Sequence, residues 1–254
     1  MNVPNPVASA LTTVGRLSFL TSQGLVAVLS PPWELRTWIN EMEQIGVRSL
    51  GVAAVTTVFT GMVLALQTAY SLPALGVKYY IGTVVAKSVV RELGPVLTAL
   101  IVGGRIGAGI TAELGTMRVT DQVDALRSMA ADPIKKLVAP KIVATLVMLP
   151  ALTAVGLFLG ILGGLLVAVF QLQLTPGFYI NDVLNSLTLE DFFSGLGKSF
   201  FFSYFITVIA CHNGLHARGG ADGVGRATTN TVVMSAIMVL ISDFFLTKLF
   251  YLIG

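Results

Sequence analysis

The amino-acid sequence predicts an all-α integral membrane protein of about five transmembrane helices, and three observations carry that prediction. Of the 254 residues, 54% are hydrophobic and only 11% charged, whereas soluble domains carry roughly 25% charged residues. That is too little charge to coat a water-facing surface. The apolar residues fall in long runs rather than in alternation, with a mean hydropathy of +0.82. The basic residues, finally, gather in the short connections between runs, so the net charge of +3 and the pI near 9.1 reflect membrane topology and not a nucleic-acid partner. This composition excludes a soluble enzyme. The single cysteine, Cys211, lies in an apolar run; it can form no intrachain disulfide and reads as a core thiol. The first twenty residues, MNVPNPVASALTTVGRLSFL, lack the basic start, compact apolar stretch and small-residue cleavage site of a secretory signal. They are expected to stay in the mature protein.

The first span is Leu50–Leu72, uncharged and long enough to cross a hydrocarbon core of roughly 30 Å. The second, Val84–Ala112, is interrupted by Lys87, Arg91, Glu92 and Arg105 around a fully apolar middle at Leu93–Gly104. The third, Ile142–Phe170, is the longest, with Pro150 near one end predicting a kink. The fourth, Gly195–Cys211, is rich in aromatics, and the fifth, Thr231–Ile253, carries Asp243 and Lys248. Upstream, Val7–Leu29 holds Arg16 at its centre, and Ser30-Pro31-Pro32 separates it from WELRTWINEMEQIGVRS. Both pieces read as interfacial helices, with Trp33 and Trp38 suited to the headgroup zone; a sixth span is the alternative. The chain is thus one membrane domain over 1–254: interfacial helices in 1–49, a transmembrane core in 50–254, and a cytoplasmic segment at 113–139.

Arg16, Arg36 and Arg48 precede span one; Arg118, Arg127, Lys135, Lys136 and Lys141 lie between spans two and three; Arg218 and Arg226 lie between four and five. These connections are predicted to be cytoplasmic. The acidic connection between three and four, and the one between one and two with only Lys78, belong on the far side. The N-terminus is then cytoplasmic and the C-terminus outside. No internal repeat is visible, and an odd span count does not fit paired inverted repeats.

Soluble-enzyme motifs occur here without their context. Gly197-Lys198-Ser199 resembles the end of a phosphate-binding loop, but Phe192 stands where that loop needs glycine and no strand precedes it. Gly107-Ala108-Gly109 and the residues after it lack a βαβ unit, so close helix packing is the better reading. His212 and His216 stand four apart with no glutamate between them and no third ligand nearby, a helix-end pair rather than a metal site. Gly103 with Gly107, and Gly156, Gly160 and Gly164, form GxxxG patterns that mark close helix contacts, within one chain or between two. Arg91, Glu92, Lys198 and Asp243 fall at membrane depth, where an unpaired charge costs about 2.5–3.5 kcal/mol. They must pair or face water, either as structural ion pairs or as the lining of a substrate cavity. Between spans two and three, Val119, Val123, Leu126 and Ala130 recur at helical spacing, with Thr120-Asp121 as a start and Asp132-Pro133 as a stop. The prediction is a short amphipathic helix that lies on the membrane or docks a soluble partner.

RELGPVLTALIVGGRIGAGITAELGTMRVTDQVDAL, then ADPIKKLVAPK and GRATTNTVV, resemble the MlaE/YrbE permease family from about Gly61 to the C-terminus. These are membrane subunits of ABC transporters that move phospholipid between envelope membranes. The resemblance implies a homodimer in the bacterial inner membrane, docked to two ATPase subunits that bind ATP and magnesium, with an MCE-domain protein receiving or delivering lipid outside. This chain would hold no cofactor and no metal, and would hydrolyse nothing. By similarity, Arg91, Glu92, Lys198 and Gln67 lie at the lipid cavity, Leu64, Leu66 and Tyr70 touch acyl chains, and Val119, Val123, Leu126, Arg127 and Ala130 form the coupling helix that meets the ATPase. The expected arrangement has Arg91 or Lys198 attracting the lipid phosphate, with Glu92 and Asp243 holding those cations when the site is empty. Two other classes compete: a secondary transporter or channel using the buried charges as an ion path, and a membrane-embedded lipid enzyme, for which no nucleophile–base pair is evident.

Overall fold

The computed structural model describes residues 6–31, 33–71 and 80–253; Lys78 and Leu72 lie outside the described residues. These residues form helices and connecting turns, with no strand among them. We label the helices α1 (Pro6–Leu29), α2 (Leu35–Ile45), α3 (Leu50–Ser71), α4 (Ile81–Val119), α5 (Gln122–Ser128), α6 (Ile134–Phe170), α7 (Pro176–Ser186), α8 (Leu189–Leu215) and α9 (Gly220–Ile253). Five stretches among the described residues are long and apolar enough to span a membrane: α2 running into α3, then α4, α6, α8 and α9. The protein is therefore a multi-pass, all-α membrane protein. Each span exceeds its apolar run: α4, with 39 residues, is about 58 Å long at 1.5 Å per residue, so its ends project past the hydrocarbon. α6 puts the segment carrying Arg127 at one end and the segment carrying Asp182 at the other. We call these the α5 end and the α7 end.

Small residues decide how the spans meet. A Cβ on Gly61 would lie 1.8 Å from the Gly160 carbonyl oxygen, and one on Gly163 would lie 2.2 Å from the Val58 carbonyl oxygen. α3 and α6 thus cross in backbone contact, which only glycine permits, and dispersion between the two backbones replaces the hydrophobic drive that lipid does not supply. Gly156 and Gly160 pack on Thr57, Gly164 on Tyr179 and Val85, and Gly103 and Gly107 on Ile206. The GxxxG patterns therefore serve contacts within one chain. Gly61→Val is expected to cost at least about 3 kcal/mol, because neither backbone can yield. Gly51→Ala, with nothing within 4 Å of its Cβ, should leave the protein as stable as before. Thermal unfolding in detergent compares the two.

α4 departs from a regular helix. Its turns Val89–Leu93 and Thr98–Gly103 are π-helical, on either side of Gly94-Pro95. Pro95 has no N–H to donate and its ring crowds the preceding turn, and the widened turns absorb that disruption. α6 opens with a third such turn, Ile134–Val138, and carries Pro150 in its interior.

The connection after α4 corrects one expectation. Val119 is the last residue of α4, and α5 runs only from Gln122 to Ser128. Asp121 and Ala130 both sit in the left-handed region, at φ 59° and 57°. The chain thus reverses on each side of α5, and helical periodicity cannot run through Val119, Val123 and Ala130. Val123 is buried against its own chain, Leu126 half-buried, and Arg127, Met129 and Ala130 are exposed.

α7 is a helix where the sequence reading had only an acidic connection. Pro176 opens it after extended Thr175, the position where proline's fixed φ helps and its missing N–H costs nothing. Asp182 accepts from the Thr83 backbone N–H at 2.8 Å and from the Thr83 hydroxyl at 2.6 Å, placing a carboxylate at the N-terminus of α4. Tyr179 is fully buried and donates to the Ile161 carbonyl at 3.2 Å. Desolvation, with a smaller push from the Asp182 carboxylate, raises its pKa above the usual phenol range.

At the α5 end, the buried Lys141 ammonium reaches Glu41 of α2 at 2.8 Å and Glu113 of α4 at 2.7 Å. One cation therefore ties the helix preceding span one, the end of span two and the start of span three. α1 lies against this same end, with Gly24 packed on Ile142.

Candidate functional site

The ionisable residues at membrane depth converge near the α7 end. Lys198, nine residues into α8 and 1% exposed at its side chain, donates to Glu92 at 2.6 Å and to the Thr247 hydroxyl at 2.6 Å. Its ammonium also lies 3.1 Å from Asp243 of α9. That contact is close enough for Coulomb attraction but not aligned as a hydrogen bond, since the same Asp243 oxygen has no hydrogen-bond partner. An ammonium has three N–H donors, and here the neighbours occupy its surroundings. Thr247 in turn donates to Glu92 at 3.3 Å.

Arg91 is held differently. Its Nε donates to Asp191, and its guanidinium carbon lies 5.7 Å from the centre of the Tyr251 ring. Adjacent residues on a helix point about 100° apart, so Arg91 and Glu92 cannot face the same partners. Glu92 turns toward Lys198 of α8 and Thr247 near the end of α9, and Arg91 toward Asp191 in the first turn of α8 and Tyr251 in the last turn of α9. This corrects the expectation that Glu92 and Asp243 hold both cations: they hold Lys198, and Asp191 holds Arg91. Asp191 is itself buried and closes a capping box, accepting from the Thr188 N–H at 3.0 Å while its own N–H donates to the Thr188 hydroxyl at 3.3 Å. The guanidinium is the more open of the two cations, with its side chain 37% exposed.

A cavity of about 490 Å³ opens over this cluster, lined by Arg91, Glu92, Glu190 and Lys198 together with Phe193, Phe250 and Tyr251. Two cations, Arg91 and Lys198, stand among four carboxylates, Glu92, Glu190, Asp191 and Asp243. The site thus offers one accessible guanidinium, exposed carboxylate at Glu190 and an aromatic wall. Charged groups and apolar aromatic rings thus face the same space.

Leu64 and Gln67 line a separate shallow groove of about 320 Å³ with Phe59, Val63 and Leu93. Within one chain this groove shares no residue with the Arg91 cavity, although Leu93 follows Glu92 directly. Leu66 lines neither space and packs, as Leu64 also does, on the core around Val85 and Leu157, and Tyr70 is exposed and lines neither space. Asp191, Glu190, Thr247, Phe250 and Tyr251 escaped the sequence reading. The spacing Thr188-x-x-Asp191 is a capping-box signature and could have singled out Asp191. Thr247, Phe250 and Tyr251 carry no local signal, because α9 brings them in from far along the chain, and Glu190 enters only as the neighbour of Asp191.

The comparisons with known proteins agree with this architecture. The family model described as permease MlaE matches residues 38–249. A protein of Rickettsia felis named as a probable ABC transporter permease is 41% identical over 99% of this chain and 98% of its own. The Haemophilus influenzae intermembrane phospholipid transport system permease protein MlaE is 35% identical over 94% of this chain and 92% of its own. The Arabidopsis thaliana chloroplast protein TRIGALACTOSYLDIACYLGLYCEROL 1 is 35% identical over 91% of this chain and 66% of its own. On a family match that covers most of its length, supported by relatives aligned nearly end to end, this chain belongs to the MlaE permease family.

Proposed function

We propose that this protein is the permease subunit of an ABC transporter that moves phospholipid between envelope membranes, and that the cavity over Arg91 receives the headgroup. The observation that carries the reading is the asymmetry of the two cations. Lys198 is buried and shared by Glu92, Asp243 and Thr247, while Arg91, its side chain 37% exposed, lines the cavity with one carboxylate partner. Lys198 then acts as the internal counter-ion and Arg91 as the phosphate contact, with donors in a fork that suits phosphate. The surplus of carboxylates favours a headgroup that also brings a cation, so a zwitterionic phospholipid satisfies the site better than a bare anion. The phospholipid transport named for the Haemophilus relative supports this reading.

Two copies of the chain would complete the chamber. α3 exposes Val55, Phe59 and Val63, and α9 exposes Ile237, Leu240, Phe244 and Phe245. A homodimer joined along these faces would merge the Leu64–Gln67 groove with the Arg91 cavity and give the acyl chains an apolar wall. In this reading the α5 end is cytoplasmic, the membrane is the bacterial inner membrane, and an MCE-domain protein meets the α7 end. The ATPase partner binds ATP and magnesium and meets α5, where closure shifts the population between two shapes of the chamber. Because Val123 is buried and Leu126 half-buried, the docking surface falls to Arg127 and Met129, the latter 68% exposed.

Purification from native membranes in mild detergent tests the proposal. The protein is expected to carry phospholipid and an ATPase subunit. Met129→Asp should lose the ATPase while retaining the lipid and its elution position. Recovery with neither lipid nor ATPase from wild-type membranes would overturn the proposal.

A further inference from the structure

A second cavity, of about 800 Å³, lies at the opposite end from the Arg91 site. Its walls come from four parts of the chain: α1, the close of α4, the α5 segment with the turn after it, and the close of α8. Its polar side is basic. Arg118, Arg127 and Arg218 all line it, as do His212 and His216, whose rings lie 4.4 Å apart. One carboxylate, Asp124, answers two of the guanidiniums, with Arg118 at 2.7 Å and Arg127 at 3.2 Å. Asp132, the acidic group on the lining, already accepts from the Ile134 N–H at 2.9 Å. Arg218 makes no ion pair among the described residues. The other wall is apolar, formed by Phe19, 63% exposed, and the buried Leu20 of α1.

Depth is as telling as charge. His212 directly follows Cys211, the last residue of the apolar run of α8, and Ile134 stands eight residues before the apolar run of α6 begins at Ile142. The cavity mouth therefore lies about 12 Å or less beyond the hydrocarbon edge, at 1.5 Å per helical residue. This is headgroup depth, where basic pockets between spanning helices hold anionic headgroups.

We infer that this cavity is a binding site for a phosphate-bearing group, held by Arg118 and Arg218, with an attached acyl chain lying over Phe19. An anionic phospholipid of the adjoining leaflet brings both parts; a free phosphate ester brings only the first. Because the site joins α1 to the segment that carries α5, its occupant sets how α5 is held. The inference does not rest on the transport reading above, since it concerns a different end of the molecule and is tested without an ATPase.

The test uses the full chain in phosphatidylcholine nanodiscs that carry a trace of photoactivatable phosphatidylglycerol, with the labelled peptides located by mass spectrometry. Label is expected on the peptides of α1 and of the turn after α8, in excess over a photoactivatable phosphatidylcholine. Arg118→Gln and Arg218→Gln should each lower it about fivefold, the factor expected for one basic contact to an anionic lipid. Arg48→Gln, exposed outside the cavity, should not lower it. Persistence of the label in excess inorganic phosphate assigns the site to lipid; its loss assigns the site to free phosphate. Equal labelling in both cavity variants and wild type, or an equal fall with Arg48→Gln, would overturn the inference.

Discussion

Arg91→Glu is expected to reduce lipid transfer by the reconstituted transporter at least about thirtyfold, the scale of losing a charge-assisted contact and facing a like charge in its place. The variant sets a new carboxylate beside Asp191 and Glu190, in a cavity where carboxylates already outnumber cations. Arg91→Lys separates charge from geometry. It keeps the cation but loses the planar fork, so it should transfer lipid at a reduced rate and hold the capping box of α8 in place. Fluorescent-lipid transfer between liposomes measures both. Unchanged transfer by Arg91→Glu, with the protein still assembled, would remove the headgroup role from this residue.

Lys198→Ala should act on the fold rather than on the ligand. The ammonium is 1% exposed at its side chain and neutralises two carboxylates. The carboxylates left behind, Glu92 at 39% and Asp243 at 22% side-chain exposure, are partly solvated, so the loss is about 1–3 kcal/mol, below that of a fully buried pair. Thermal unfolding in detergent should show the loss. The triple variant Lys198→Met, Glu92→Gln, Asp243→Asn removes all three charges together and should recover most of that stability. If Lys198→Ala melts with the wild type, the cluster is open to water and Lys198 is no internal counter-ion.

Much of the fold was legible in the sequence because lipid imposes a one-dimensional rule: an uncharged run of sufficient length must be a helix. Spans one and three follow from that rule directly, and spans two, four and five from the apolar stretches between their few charges. The grouping of Lys198 with Glu92 and Asp243 was legible for a related reason, since charges stranded at one depth have only each other as partners. The rule has nothing to say where the chain leaves the lipid. α7 is amphipathic and short, and its start depends on Thr175-Pro176, a local signal that the search for apolar runs passes over. The spacing of Val119, Val123, Leu126 and Ala130 predicts one helical period, but left-handed turns at Asp121 and Ala130 break it. Asp191 was hidden because it performs two tasks at once, capping α8 and holding Arg91, and only the first leaves a trace in residue spacing. The π-helical turns of α4 were equally hidden: Pro95 announces a disturbance, but not where a helix will place the extra residue.

The backbone crossing of α3 and α6 has a mechanical consequence. Two strands of peptide that touch at Gly61 and Gly163 can neither slide nor tilt without collision, so that pair is the stiff spine of the bundle. α9 is its opposite, with only 17% of its most apolar stretch enclosed by the rest of the chain. Any displacement of α9 against that spine would carry Asp243, Thr247 and Tyr251 with it. The ammonium of Lys198 is what moors that helix, through Asp243 and Thr247, to α8 and to Glu92 of α4.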